Sequence, residues 1–466
     1  MQSMQSDNEH IGQDAAIRKV KREICPDPDT INAAWARLLV AIEREAKEIK
    51  EKGFGICPIP PQIIPQLDFA DLHANQGHIP AAIALEVRRR GVLVIHNVIT
   101  AAEVQEYKTS VVEYLERNRE RTPAAYAGSV FKPAFYSKAQ TCARQHENMV
   151  EVVRAMNRLW HGGEGKSGSL GKIFSLGRML IQVASIDGSM KSTARFTRKS
   201  LRARYVRCHY NVVLHSKRDI FNPHLLSFCF STQWEDHDPF DITHRLDCVL
   251  PTNKFFRSFQ VSLPPPIPIL LLDPYSHTYN PSLIQGWLSL SHCSPGEGSL
   301  RVCPMLPLQI AYYMMRPFVA AFPDDAWPGV HGQHFDNQRR FEEMLECFVS
   351  VPSVGPGDVV FWHCDLAHAV EPHHTGTSDS TVFYIPAAPL CELNARYARE
   401  ARESFLRGVK GPDFVGRDGG DEGPEVAFED RAGLEDLSEV GRRLMGFEPW
   451  EGEEEVVRRC AEIVRA

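Results

Sequence analysis

The residues best suited to chemistry lie in one stretch, Pro356-Gly-Asp-Val-Val-Phe-Trp-His-Cys-Asp-Leu-Ala-His-Ala-Val-Glu-Pro372. A Pro-Gly-Asp turn feeds an apolar strand, and His368 follows ten residues after Asp358. Jelly-roll metal enzymes deliver a histidine to the barrel mouth on a rigid strand entered in this way. A non-haem Fe(II) site needs two histidines and a carboxylate on one face, with open positions left over. His368 is the candidate distal ligand; a buried histidine satisfied by backbone is the plainer reading. His363-Cys-Asp365 spells His-x-Asp, the usual form of the other two ligands. Positions 363 and 365 share a strand face, whereas 368 has the opposite parity, so all three converge only through a sharp bend. His363 and Asp365 are therefore candidate metal residues that also read as supporting or structural groups. His373 and His374 read as a solvated turn.

These residues need elements to hold them. The spacing predicts helices over Ile31–Lys52, Ile79–Arg90, Ala101–Arg121 and Val150–Trp160. Gly91–Val98 is a short β-branched run after a glycine, hence a buried strand. Five more strands are predicted at Gly286–Ser291, Gly298–Cys303, Cys347–Val351, Asp358–Trp362 and Thr381–Ile385. Helices over Ala388–Gly408 and Glu453–Arg465 close the chain. The expected fold is α+β: a double-stranded β-helix (jelly roll, cupin-like) core with flanking N- and C-terminal helices. The boundaries are a helical extension over 1–57, the jelly-roll domain over 58–450 and a C-terminal helix over 451–466.

The totals narrow the class. With 466 residues, 43% of them hydrophobic, the chain can bury a large core. Net charge is -7 with no long basic block, which argues against a nucleic-acid partner. Met1–Gln13 is polar, and the longest apolar run, Ile267–Leu272, is far short of the ~20 residues of a membrane span. Twelve cysteines without a CxxC pair read as reduced thiols. A soluble cytoplasmic protein acting on a small molecule, with no membrane or nucleic-acid partner, is the expectation; oligomeric state and substrate are open.

Gly91–Val98, Gly286–Ser291, Pro295–Val302, Arg316-Pro317, Pro356–Ala369 and Ser380–Pro386 together resemble the YbiU-like domain-of-unknown-function family. That family is assigned to the 2-oxoglutarate/Fe(II)-dependent, clavaminate synthase-like oxygenase superfamily. The resemblance covers roughly 60–160, 234–260 and 286–450. It implies Fe(II) and 2-oxoglutarate as cofactors and oxidation of a substrate C–H bond. The co-substrate carboxylate needs a cation, and a guanidinium fork suits it. The last predicted strand has no Arg or Lys, so Arg301 is the first candidate and Arg316 the second. Trp362, Trp287 and Tyr384 are candidate pocket walls that also read as plain core.

The chain departs from the family at one place. A Leu-Gly-Pro-His-x-Asp-type segment is normal before the Trp-Glu stretch, but Phe174–Gln182 contains no histidine. The surrounding 162–233 and the proline-rich 261–285 keep no steady period. Back-translating Gly177–Ser185, with CGC ATG TTG ATA CAG GTA GCA for Arg178–Ala184, and shifting one base can read Pro-His-Val-Asp-Thr-Gly-Ser, the missing motif. Val261-Ser262 and Gln285 match splice-donor and splice-acceptor codons, and 206–233 has a similar texture. A faulty gene model is therefore expected, with a genuine divergent insertion as the other reading. As written, the chain is either an impaired oxygenase or a non-catalytic jelly-roll binding or structural protein. A cupin-type metal enzyme independent of 2-oxoglutarate is a third possibility.

Overall fold

The computed structural model describes residues 28–53, 63–122, 131–161, 179–180, 187–189, 206–207, 234–241, 284–315, 319, 334–335, 344, 346–363, 366–371, 374–390, 392–409, 411, 424–450 and 452–466. Asp365, Arg316, His373 and nearly all of 162–233 and 261–285 lie outside this set.

Helix α1 (Pro28–Gly53) buries the stripe Ile31, Trp35, Leu38, Ile42 and Ile49. α2 (Phe69–Ala74) is capped by Asp68, which accepts from the Ala70 N–H. α3 (Ala81–Arg90) starts two residues later than its spacing predicts, because Pro80 sets the entry. α4 (Ala101–Arg117) gives way to a 3-10 turn at Arg119–Arg121. α5 (Lys138–Gln145) is absent from the sequence reading, although Ser137 and Gln140 form a capping box that marks its start. α6 (Glu147–Asn157), α7 (Leu306–Met315), α8 (Glu392–Arg407), α9 (Glu439–Leu444) and α10 (Glu455–Arg465) complete the helices used below.

The strands, in chain order, are β1 (Gln66–Asp68), β2 (Val92–His96), β3 (Phe131–Pro133), β4 (Met179–Leu180), β5 (Asp187–Ser189), β6 (Val206–Arg207), β7 (Ile284–Ser289), β8 (Leu300–Val302), β9 (His334–Phe335), β10 (Val349–Ser350), β11 (Val359–His363), β12 (His368–Val370), β13 (Val382–Tyr384) and β14 (Ala388–Pro389). Two sheets of five strands dominate, ordered β1-β2-β11-β7-β13 and β10-β8-β12-β6-β9. The first is mixed: β1 and β2 run parallel, and the remaining pairs are antiparallel. The architecture is thus α+β, with flanking helices at both ends of the described chain. Ile284 and Gln285, part of the stretch set aside as anomalous, open β7 and pair with His363 and Trp362.

Val92–Ile95 and all of β11 are buried, so these central strands are covered on both faces. One continuous apolar core joins both sheets with α1, α3, α6 and α7, through Leu38, Val87, Val153, Ile310, Val94, Val302 and Phe361 among others. Gly286 lets β7 approach β11, since a Cβ there would sit 2.3 Å from the Phe361 ring. The root of β2 is fixed by charge. Arg90, 1% exposed, is ion-paired with Glu45, Glu48 and Glu86 and donates to the Pro304 carbonyl at 3.2 Å. Burying that guanidinium is tolerable because carboxylates and a carbonyl replace its water. No helix among the described residues is long and apolar enough to cross a membrane.

Candidate functional site

The Pro-Gly-Asp turn aims β11. The Asp358 carboxylate accepts from the Gly355 and Asn97 N–H groups at 2.8 and 2.9 Å, and contacts His96 Nδ1 at 2.9 Å. Val98 and Ile99 donate to the Gly357 carbonyl. Gly357 has φ +95°, and a Cβ there would lie 1.9 Å from the Ile99 carbonyl oxygen, so glycine is required on both counts. His96 Nε2 meets Gln66 Oε1 at 2.9 Å. With Asp358 as the main cause, its pKa is raised, while contacts with His96 and two backbone N–H groups outweigh burial and lower that of Asp358.

At the other end of β11 the chain changes sheets. Leu366 N–H turns back to the His363 carbonyl, and His368 then opens β12 in the second sheet, opposite Val302. Neighbouring residues on a strand point to opposite faces. The Trp362 ring accordingly lies 5.4 Å from that of His368, whereas His363 sits between Trp160 and Phe240 at 5.2 and 5.0 Å. The structure therefore does not bring His363 to His368. His363 is 1% exposed, and its Nε2 meets the Pro239 carbonyl at 3.2 Å.

His368 is 7% exposed, with Nδ1 at 2.8 Å from the Leu366 carbonyl. A carbonyl only accepts, so Nδ1 carries the proton, and in the neutral ring the lone pair is on Nε2. Metal-binding histidines are commonly fixed by the same contact. Beside it, the Trp362 indole N–H is buried without a hydrogen-bond partner among the described residues.

Arg301 pairs with Ala369 across the β8–β12 ladder, whereas His368 pairs with Val302. Directly opposed residues share a face and their neighbours take the other, so Arg301 and His368 lie on opposite faces of the second sheet. Its guanidinium donates to the Phe348 carbonyl at 2.7 Å and lies 5.9 Å from the Phe348 ring centre. Tyr384 ends β13 in the first sheet, opposite Trp287, which is 6% exposed. Asp365 and Arg316 fall outside the described residues, as does His373; His374 bridges to Glu297.

The sequence reading missed Glu371, three residues beyond His368. Its carboxylate accepts from the N–H groups of Gly296, Gly298 and Ser299 at 2.9, 3.0 and 2.9 Å, and from the Ser350 hydroxyl. One side chain on the β12 exit thus ties down the turn into β8 and the end of β10. The glycine-rich Pro295–Ser299 turn, with several backbone donors to satisfy, was the available signal. Also missed was Asp238, which pairs with His161 at 2.8 Å just past α6.

Among the described residues no three His, Cys, Asp or Glu side chains converge as a metal site. His368 alone does not fit iron's need for three protein ligands.

Comparison with known proteins places the chain. It matches the Gig2-like family over residues 11–173 and 280–447; the intervening 174–279 contains the segment that lacks the Pro-His-x-Asp motif. It is 28% identical over 457 residues to the uncharacterized protein YbiU of Escherichia coli K12, covering 93% of this chain and 96% of that one. The solved GlcNAc Inducible Gene 2 protein of Candida albicans superposes with TM-score 0.74 at 24% identity, over 97% of this chain and 93% of the other. A Salmonella typhimurium LT2 protein, provisionally named an oxidoreductase, gives TM-score 0.72 at 25% identity, over 93% and 97%. Because the family match spans well over half its length, this chain belongs to the Gig2-like family.

Proposed function

We propose that this chain is an oxidoreductase of the non-haem Fe(II)/2-oxoglutarate type, its two five-stranded sheets forming the halves of a jelly roll, with His368 as one metal ligand. The observation that carries this reading is the β11–β12 corner. There a buried imidazole has Nδ1 committed to a carbonyl and an unpartnered indole N–H lies beside it. The provisional name of the Salmonella relative supports the reaction class. The described residues do not complete the iron site, Asp365 outside them stays a candidate, and no reaction step is assigned to a side chain. Arg301, on the far face from His368, is set aside as the carboxylate clamp; Arg316 and Tyr384 stay as candidates.

The test is calorimetric titration of the full chain with Co(II), an oxygen-stable stand-in for Fe(II), with and without 2-oxoglutarate. Saturable binding that His368→Ala weakens by about tenfold or more supports the reading. Succinate formation tied to oxygen uptake would establish the activity. Metal-independent behaviour identical in wild type and variant sinks it, leaving a non-catalytic jelly-roll binding or structural protein. That second reading draws on the histidine-free Phe174–Gln182 and the break in the family match at 174–279. Transcripts read across codons 170–290 separate a lost site from a misread one: messages keeping the whole stretch in frame remove the gene-model explanation.

A further inference from the structure

A groove of about 370 Å³ lies between α3 and the C-terminal end of α6. Ile79, Ala84, Leu85 and Ala155 give it apolar walls, and Arg88 and Arg158 supply two guanidinium groups. Leu85 is 64% exposed and so is available to a bound molecule.

Among the described residues, both arginines hydrogen-bond to backbone carbonyls, and Arg88 also feels the Asp238 carboxylate. Arg88 donates to the Leu159 carbonyl at 3.2 Å, and Arg158 to the Gly77 carbonyl at 2.7 Å. The Nε of each is buried without a hydrogen-bond partner among the described residues, so neither has used all its donors there. Among the described residues, neither reaches a carboxylate at salt-bridge distance. Carboxylates in the neighbourhood are engaged elsewhere, Glu151 with His73 at 2.9 Å and Asp238 with His161 at 2.8 Å. Arg154 lies near enough for Arg158 to act on it: burial first and that repulsion second lower its pKa, against the attraction of Glu151. Among the described residues no carboxylate lines the groove.

We propose that this groove binds a small amphipathic carboxylate, its head between Arg88 and Arg158 and its hydrocarbon along Leu85, Ala84 and Ala155. Two guanidinium groups without a direct salt bridge among the described residues complement an anion, and the walls favour an apolar body over a bare ion. The site is independent of the Fe(II)/2-oxoglutarate reading.

The experiment is isothermal titration of the full chain with sodium octanoate, with octanol and inorganic phosphate as controls. Octanoate is expected to bind saturably below about 10 mM, and each control about tenfold more weakly or not at all. Arg88→Gln and Arg158→Gln should each weaken octanoate about tenfold. Because Arg158 also braces the Gly77 turn, Leu85→Glu serves as a second probe; at an exposed position it leaves the fold intact and sets a like charge beside the ligand. No saturable octanoate binding overturns the proposal. So does undiminished binding by Arg88→Gln and Leu85→Glu, and phosphate binding as tight as octanoate shows an unselective anion patch instead.

Discussion

In the first sheet, β11 runs five residues with every side chain buried, and pairs over four residues with β2 and five with β7. In the second, β12 has three residues and pairs over the same three with β8, while β10 contributes two. The long ladder is held by apolar packing on both faces. The short one joins the same core through Leu300, Val302 and Val349 and is tied in addition by one carboxylate, Glu371, which gathers donors from a turn and a neighbouring strand. The candidate metal ligand His368 sits on the short ladder but leans on Trp362 of the long one. A ligand that must keep an open coordination position can tolerate a small sheet of its own if a rigid sheet backs it.

The strongest way to break this contrast is Gly357→Val. Its Cβ would collide with the Ile99 carbonyl at a left-handed backbone position, so a loss of about 4 kcal/mol or more is expected in urea unfolding. A near-native midpoint would show that the first sheet is not the rigid partner.

Next comes Glu425, which belongs to neither sheet and gauges how firmly the C-terminal shell is attached. It is fully buried and accepts from the Tyr114 hydroxyl at 2.7 Å and the Phe135 and Tyr136 N–H groups at 2.8 and 3.1 Å. Burial pushes its pKa up from 4.5 to about 7 against those hydrogen bonds. The folded state then holds its proton longer than the unfolded chain. Stability should fall by roughly 3 kcal/mol as pH rises from about 4.5 to 7, then level off. Glu425→Gln should remove that slope in urea titrations at several pH values; an unchanged slope assigns it to another group.

Glu371→Ala should cost about 2–3 kcal/mol, because three backbone donors and a hydroxyl lose a charged acceptor. Hydrogen exchange gives the sharper readout: Gly296, Gly298 and Ser299 amides should exchange faster, with β2 and β11 protected as before. Uniform loss of protection would mean the sheets unfold as one unit.

The smallest effect belongs to His96→Ala, about 1 kcal/mol at the edge of the first sheet. The raised His96 pKa gives stability that is full below about pH 6.5 and lost as pH climbs through the folded value; the lowered Asp358 pKa gives stability lost in acid. The pair is therefore worth most between about pH 4 and 6.5, and the variant should flatten thermal stability across the neutral side of that window.

Gly91–Val98 and Asp358–Trp362 were legible as strands because both are apolar runs bounded by turn residues. α5 was not, since Lys138–Gln145 is short and polar, and only its cap announces it. β12 is not among the predicted strands, because His368–Val370 is three residues long and nothing in Cys364–Ala367 declares a change of sheet.

The sequence by itself determined that a Pro-Gly-Asp turn starts a buried strand and that His368 follows it, because turn chemistry and apolar patterning act within a few residues. Tertiary structure decided which faces meet. His363 turns to Trp160, Arg301 turns from His368, and Glu371 closes the turn before β8. Those outcomes depend on strand partners tens of residues away. A period-two element reverses every side chain with a one-residue change in where it ends, which no local pattern can specify.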